Sequence, residues 1–338
     1  EVTDGFTVAG GSWKDAYYLF TDIGALPASY NSDRLGFRCV RNLPENKGDQ
    51  GAMRIDTTKQ IPAYAPTSES HFQALLSHFR YDQTPLDAQV IETQDTDEWR
   101  REKISYNGGG AERAFGYLYL PKSAKPPFQV LQFVPAGDVY QGFFTQAESV
   151  EMQVAPFIKA GRAVWAVVFK GFKERETTSG YDGYGWNTVK RREEVVRNAT
   201  DLSRGLDYLA TRNEVDVRLV TYYGYSAGAA EGLIYATVEP RYRAVVFIAG
   251  GLSPQSLKWI AEASPPNFIA HLKAPKLLLN GRYDEVHPLK TWVEPLHKLL
   301  PEPKRLHLYD AGHTPPLEII VPVVNAWLDE TLGAVKRE

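Results

Sequence analysis

The chain has 338 residues, a formal net charge of -3 and a single cysteine, Cys39. Its length suits one large α/β domain with additional segments, and its evenly mixed charges exclude the basic surface that binds nucleic acid. One cysteine excludes an internal disulfide, the sequence holds no Cys/His cluster typical of a metal site, and no apolar run is long enough to span a membrane.

Residues 1–45 are the first expected unit. They contain Gly10-Gly11-Ser12-Trp13 and, further on, Gly36-Phe37-Arg38-Cys39-Val40-Arg41. These stretches resemble the C-terminal end of the formylglycine-generating enzyme (sulfatase-modifying factor) domain. We expect strands and loops that pack on the rest of the chain, because about 40 residues cannot bury a core of their own. The resemblance implies that the family's catalytic cysteines lie upstream of this signature, where this sequence has none. Cys39 is therefore expected to be a buried apolar side chain rather than a reactive thiol.

The chain begins at Glu1 rather than at a methionine, and its N-terminal residues have no signal-peptide pattern. We therefore expect a processed product or an excised fragment. The sequence leaves its compartment unknown, with the cytoplasm as the default expectation, and it leaves the oligomeric state open.

Residues 46–98 are predicted to form a linker and one amphipathic helix. The stretch 46–66 is rich in Gly, Pro, Asp and Thr, which favours an irregular surface segment. A capping box at residues 70–73 predicts the start of the helix, whose apolar side chains recur at helical spacing up to Phe79. Its two histidines, His71 and His78, are expected to be solvated.

A third unit is predicted over residues 99–335, where the pattern changes to strands. Residues 101–106 and 113–120 lie on either side of a glycine turn and predict an antiparallel pair at a sheet edge. The next strand, residues 128–134, is a near-continuous apolar run, which is typical of a parallel strand buried on both faces.

The β-α-β alternation continues with a helix near residues 145–160 and a second apolar run over 163–169. This alternation predicts an α/β fold with a mostly parallel twisted sheet and helices on both faces, preceded by a small N-terminal extension.

A turn, Pro135-Ala136-Gly137-Asp138, comes directly after the first apolar run. A glycine here lets the backbone approach an oxyanion, so Gly137 is the first candidate for an oxyanion-binding N–H and Ala136 the second. The string lacks the H-G-G pattern that often supplies such an N–H, and a plain turn is the alternative interpretation.

The loop over residues 170–187 is long and rich in aromatic side chains. It either lines the mouth of a pocket, with Tyr184 and Trp186 as lining residues beside Tyr225, or is a surface loop stiffened by its rings. The next helix carries four charged residues, 191–194, which are expected to form a solvated face.

A β-branched and aromatic run passes directly into Gly224-Tyr225-Ser226-Ala227-Gly228 and then into helix-forming residues. This G-x-S-x-G pattern predicts a nucleophile elbow, a sharp turn that lifts a serine hydroxyl out of the sheet. The two glycines fit because a side chain at either position would crowd the corner. The N–H of Ala227 would then lie beside Ser226 as an oxyanion donor.

Two further strands, near residues 276–281 and 305–309, each precede an ionisable group, Asp284 and His313 respectively. Ligands gather at the carboxyl ends of parallel strands, so Ser226, Asp284 and His313 are expected to converge there. The segment between the elbow and Asp284 is too short for a large cap domain, which predicts open access to the serine. The rival bases and acids are His271, His287, His297, His307, Glu285 and Asp310.

The strings G-Y-S-A-G, N-G-R-Y-D and A-G-H, which contain Ser226, Asp284 and His313, make residues 99–332 resemble the α/β-hydrolase family. The resemblance is to its esterase, dienelactone hydrolase and prolyl-peptidase-like branches. In acyl transfer His313 would be the base that takes the proton of Ser226, and Asp284 would orient the base. His287 would lie beside them without acting, or on the surface. No cofactor and no metal is expected.

The sequence therefore predicts a serine carboxylic-ester hydrolase that acts through an acyl-enzyme on small to medium acyl or aryl esters. A serine peptidase of the prolyl-oligopeptidase type is one alternative, although the chain has no repeated blades for a gating domain. A non-catalytic hydrolase-like module of a larger signalling protein is the other. The expected partner is a small-molecule ester.

Overall fold

The computed structural model describes residues 62–109, 112–175 and 185–336, together with the backbone of two N-terminal strands. These strands, β1 (Gly5–Ala9) and β2 (Ile23–Pro27), pair antiparallel. Strands were expected in this segment. The side chain of Cys39 and residues 46–61 of the expected linker lie outside the described residues, so the resemblance of residues 1–45 to another family stays a prediction.

The main sheet has nine strands. They are β3 (Gln89–Asp95), β4 (Trp99–Asn107), β5 (Arg113–Pro121), β6 (Phe128–Val134), β7 (Ala163–Val168), β8 (Val215–Tyr225), β9 (Ala244–Ile248), β10 (Lys276–Gly281) and β11 (Lys304–Tyr309). Their spatial order is β11-β10-β9-β8-β6-β7-β5-β4-β3. The strands from β11 to β7 in this order are parallel, whereas β5, β4 and β3 are antiparallel additions at one end.

The parallel strands form the core of the molecule. Every residue of β6, β7, β9 and β10 is buried, because helices cover both faces of the sheet. The continuous apolar runs read from the sequence are therefore confirmed as buried strands. Since each crossover returns the chain to the same edge of the sheet, the loops after β6, β8, β10 and β11 meet at the carboxyl ends of these strands.

The helices connect the strands. They are α1 (Glu69–Leu76), α2 (Gly137–Tyr140), α3 (Gln146–Gln153), α4 (Ala155–Lys159), α5 (Val189–Leu209), α6 (Ala227–Val238), α7 (Glu294–Leu299) and α8 (Leu317–Leu332). On the sheet, α5 packs with α6 and α4 packs with α8. Within the described ranges, no helix has the length and apolar character needed to cross a lipid bilayer.

Three local expectations differ from the structure. The side chain that caps α1 is Ser68, which accepts from the N–H of His71, and not Ser70. The single helix expected near residues 145–160 is divided into α3 and α4 at Val154, whose backbone leaves the helical region. The pair β4 and β5 does not form the sheet edge, because β3 pairs with β4 on its outer side.

The expected solvated face at residues 191–194 is wrong for Arg191, which is only 2% exposed. Its guanidinium donates to Glu194 over 2.9 Å and also forms an ion pair with Glu231 of α6. Burial raises the pKa of the Glu194 carboxyl. The charge pattern of α5 alone could not indicate this, because the partner Glu231 lies on another helix. Glu193 of the same run is exposed, as expected.

Candidate active site

The turn between β8 and α6 carries Ser226 in a strained conformation. Its backbone has φ 49° and ψ -107°, a region that residues other than glycine rarely adopt. The N–H of Ser226 donates to the carbonyl of Ile248 in the neighbouring strand β9 over 2.8 Å, which holds the turn in place. Strain of this kind persists only where the surroundings enforce it, and it is concentrated at functional sites.

Gly224 and Gly228 make the turn possible by allowing close backbone approach. A Cβ added at Gly224 would lie 2.5 Å from the carbonyl oxygen of Gly228, and one at Gly228 would lie 2.2 Å from that of Val134. The N–H of Gly228 also donates to the carbonyl of Pro135 over 3.0 Å. The elbow is therefore fastened to the turn after β6.

We expect the substitution Gly228→Ala to lower the free energy of unfolding by about 3 kcal/mol or more, because the new methyl group would meet the buried backbone of Val134 and Pro135, which cannot move away. Chemical denaturation followed by circular dichroism measures this loss. Gly185→Ala is the matched control, since a Cβ there would lie 3.6 Å from its nearest contact at Thr188, an ordinary distance. Equal stability of the two variants would contradict the close packing described for the elbow.

Three side chains from three loops meet at the carboxyl edge of the sheet. The Oγ of Ser226 lies 2.8 Å from Nε2 of His313, and Nδ1 of His313 lies 2.9 Å from Oδ2 of Asp284. Ser226 follows β8, Asp284 follows β10 and His313 follows β11. The structure thus brings together the three residues selected from the sequence. This arrangement can transfer a proton from the hydroxyl to the imidazole while a carboxylate faces the other ring nitrogen.

Asp284 is held rigidly in this arrangement. Its side chain is fully buried, and its Oδ1 accepts from the N–H groups of Val286 at 2.9 Å and His287 at 2.8 Å. Two hydrogen bonds to one carboxylate oxygen fix the orientation of the carboxylate. Oδ2 is thereby directed at His313, whose own side chain is 16% exposed and so open to solvent.

His287 lies beside these three residues and is buried, with 7% of its surface exposed. Its ring centroid is 5.2 Å from that of His313, and its Nδ1 lies 2.7 Å from the carbonyl oxygen of Ala249. Burial, together with the nearby His313, lowers the pKa of His287 to about 4. The ring is therefore uncharged at neutral pH, and of the two places expected for it, the one beside the site is correct.

Two of the other rival residues, His271 and Asp310, have partners outside the cluster. The Nε2 of His271 lies 3.1 Å from the carbonyl oxygen of Thr67, and Asp310 forms an ion pair with Arg282 over 2.9 Å. His307 lies within β11 and His297 within α7, whereas Glu285 comes directly after Asp284.

The candidate oxyanion donors lie on two adjacent turns. Ala227 is the first residue of α6, Ala136 is the N-cap of α2 and Gly137 is its first residue. A Cβ added at Gly137 would lie 4.0 Å from the Cβ of Ala227, so the turn after β6 and the elbow are in contact. The helix α6 begins directly after Ser226, and a helix N-terminus favours negative charge.

A buried polar network, which the sequence did not indicate, joins these two turns. The hydroxyl of Tyr140, at the end of α2, donates to Oε2 of Glu231 over 3.3 Å, and Tyr235 donates to the same oxygen over 2.7 Å. The other oxygen of Glu231 pairs with Arg191. Glu231 lies in the second turn of α6, so the network holds α2 against the helix that begins at the elbow.

The expected pocket residues have different positions. Tyr225 is the last residue of β8 and is buried, with 6% exposed. The ring of Trp186 stacks on that of Trp259 at 4.2 Å, and the Arg191 guanidinium lies 4.6 Å from the Trp186 ring centroid. The loop end at residues 185–188 is therefore packed on the segment after β9. Tyr184 lies outside the described residues.

A cavity of about 780 Å³ lies away from this cluster, between α5, the end of α1 and the β4–β5 turn. Its lining includes His78, Arg80, Arg192 and Arg197, but none of Ser226, Asp284 and His313. We regard the serine, histidine and aspartate cluster as the functional site, because a cavity alone supplies no reactive group.

No family model and no curated protein matches the sequence. Solved structures do resemble it. The acetyl xylan esterase from Paenibacillus sp. R4 matches with a TM-score of 0.59 and 20% identity, over 80% of this chain and 96% of that one. Acetyl xylan esterase 1 from Thermoanaerobacterium sp. JW/SL YS485 matches with a TM-score of 0.60 and 16% identity, over 78% and 94% of the two chains.

A glucuronoyl esterase from Solibacter usitatus is similar over 81% of this chain and 99% of that one, with a TM-score of 0.55 and 13% identity. At sequence identities of 20% or less, the similarity is evidence for the fold alone. Together with the order and direction of the nine strands, it confirms the fold class expected from the sequence: the chain has the α/β-hydrolase fold.

Proposed function

We propose that this protein is a serine carboxylic-ester hydrolase that acts on small to medium acyl or aryl esters. The observation that carries the proposal is the continuous chain of hydrogen bonds from Ser226 Oγ through His313 to Asp284. A serine hydroxyl is a weak nucleophile at neutral pH, and such a chain is the arrangement that activates it.

The first half of the reaction forms an acyl-enzyme. Ser226 Oγ attacks the ester carbonyl while Nε2 of His313 takes the hydroxyl proton, and Asp284 stabilises the resulting imidazolium. The N–H groups of Ala227 and of Gly137 or Ala136 donate to the oxyanion of the tetrahedral intermediate, which is worth about 3 kcal/mol per donor. The intermediate collapses, the alcohol leaves with the proton from His313, and the acyl group stays on Ser226.

The second half regenerates the serine. His313 takes a proton from water, which attacks the acyl carbonyl, and the same N–H groups stabilise the second tetrahedral intermediate. Collapse breaks the bond to Ser226 Oγ, which recovers its proton from His313, and the carboxylic acid departs. The chain's own residues supply every group in this scheme, so the proposal requires no cofactor.

The names of the structural neighbours favour an ester as substrate, since all three are called esterases. The segment between β9 and β10 contains only short 3-10 turns, which is consistent with an open site that admits small esters. We extend the substrate class no further than small to medium acyl or aryl esters.

A panel of chromogenic substrates tests this proposal. We expect p-nitrophenyl acetate and butyrate to be hydrolysed with a higher kcat/KM than p-nitrophenyl decanoate, and peptide p-nitroanilides to be poor substrates. Faster cleavage of the peptide p-nitroanilides would favour the serine peptidase alternative. No turnover of any substrate by the folded protein would favour the non-catalytic module.

A further inference from the structure

Asp284, His287 and His313 form a cluster with the composition of a metal site. Each of the three offers one ligand atom, and these atoms lie within 4.8 Å of one another. One carboxylate oxygen and two imidazole nitrogens are a donor set that zinc accepts, with solvent as its fourth ligand. No spacing in the sequence marks this set as a group, because His287 and His313 are on loops that come after different strands.

His287 is prepared to act as a ligand although the proposed reaction does not use it. Its Nδ1 lies 2.7 Å from the carbonyl oxygen of Ala249, and a carbonyl can only accept, so the ring proton is on Nδ1. The lone pair is therefore on Nε2. Histidines that bind metals typically donate their second ring N–H to a carbonyl or carboxylate in this way, which fixes the tautomer and the ring orientation.

Binding of zinc requires a small rearrangement of the cluster. Tetrahedral zinc at about 2.1 Å from each ligand holds two ligand atoms about 3.4 Å apart. Nδ1 of His313 and Oδ2 of Asp284 are 2.9 Å apart and must separate by about 0.5 Å to admit the ion. The ligand atom of His287, which lies within 4.8 Å of the other two, must move toward them. The His313 side chain is 16% exposed, so the cluster borders the solvent.

We infer that Asp284, His287 and His313 bind Zn²⁺ reversibly and that the bound ion inhibits the enzyme. The inhibition rests on the proposed function, whereas the binding does not. Zinc coordinates Nδ1 of His313 in place of the proton shared with Asp284, and solvent carries that proton to Nε2. The ring stays neutral and no net proton is released. His313 then presents an N–H to Ser226 and has no lone pair to accept the hydroxyl proton.

Zinc binding is measured by calorimetric titration of ZnCl₂ into the full chain carrying Ser226→Ala, which keeps all three ligands. We expect one site that is lost or weakened at least about 10-fold when His287→Gln is added, since even an outer partner of a metal ligand is worth that much. Ser226→Ala with His297→Gln is the matched control, because His297 lies on α7 outside the cluster. Equal binding by all three proteins would overturn the inference.

Inhibition is measured with the unmodified serine. Zinc should reduce hydrolysis of p-nitrophenyl acetate, EDTA should restore it, and the inhibitory concentration should rise at least about 10-fold in His287→Gln, relative to that variant's own rate. His287→Asn serves as a second variant if His287→Gln does not fold, as judged by circular dichroism. Unchanged inhibition in the folded variant would contradict the site. If the protein hydrolyses no ester, the calorimetric result still decides whether the metal site exists.

Discussion

Replacement of Ser226 by alanine is expected to lower kcat/KM for p-nitrophenyl acetate by about 10⁴-fold or more while the fold is retained. The hydroxyl oxygen is the atom that forms the acyl-enzyme, and its distance of 2.8 Å from His313 Nε2 is the contact through which it is activated. Alanine keeps the Cβ, so the conformation with φ 49° is no harder to adopt than before. Steady-state kinetics and thermal unfolding of the two proteins measure both parts of the expectation.

Ser70→Ala is a suitable control for this variant, because Ser70 is exposed on α1 and does not cap the helix. Its turnover should equal that of the unmodified chain. Turnover that persists in Ser226→Ala, with the fold intact, would assign the hydrolysis to another residue.

Asp284→Asn is expected to lower kcat by about 10⁴-fold, although the side chain is nearly the same size. The N–H groups of Val286 and His287 both donate to Oδ1, so the asparagine oxygen should stay there and its NH₂ should face His313. The amide donor then requires the lone pair of His313 on Nδ1 and its proton on Nε2, facing the serine. The base would be in the wrong tautomer. Activity assays over a range of pH measure this loss.

The control for Asp284→Asn is Asp310→Asn, which changes a carboxylate on the neighbouring loop. Asp310 is exposed and pairs with Arg282, whereas the imidazole pairs with Asp284. We expect turnover close to that of the unmodified chain. If Asp310→Asn were the more damaging of the two, the orienting carboxylate would have to be reassigned.

Much of the fold and of the site could be predicted because their determinants are local. The elbow needs glycines where Gly224 and Gly228 stand, since a Cβ at either position would lie within 2.5 Å of a backbone oxygen. Strands buried on both faces, such as β6, must be continuously apolar. The order of strands in an α/β fold then determines which loops meet, and this placed Asp284 and His313 near the serine.

The features that were missed depend on contacts between distant parts of the chain. β3 is exposed along its whole length, so no apolar alternation marked it as a strand. Arg191 is buried only because Glu231 of another helix pairs with it. The grouping of His287 with His313 results from the way two loops approach each other, and no residue near either one in the sequence indicates it.

Covalent labelling with a fluorophosphonate, read by intact mass and peptide mapping, tests the central claim most directly. The reagent reacts with a serine only when a neighbouring base has made its hydroxyl nucleophilic. We predict a single adduct on the peptide that contains Ser226, none in Ser226→Ala, and slow labelling in Asp284→Asn. An unlabelled folded protein, or an adduct on a different serine, would show that the Ser226, His313 and Asp284 cluster does not activate this hydroxyl.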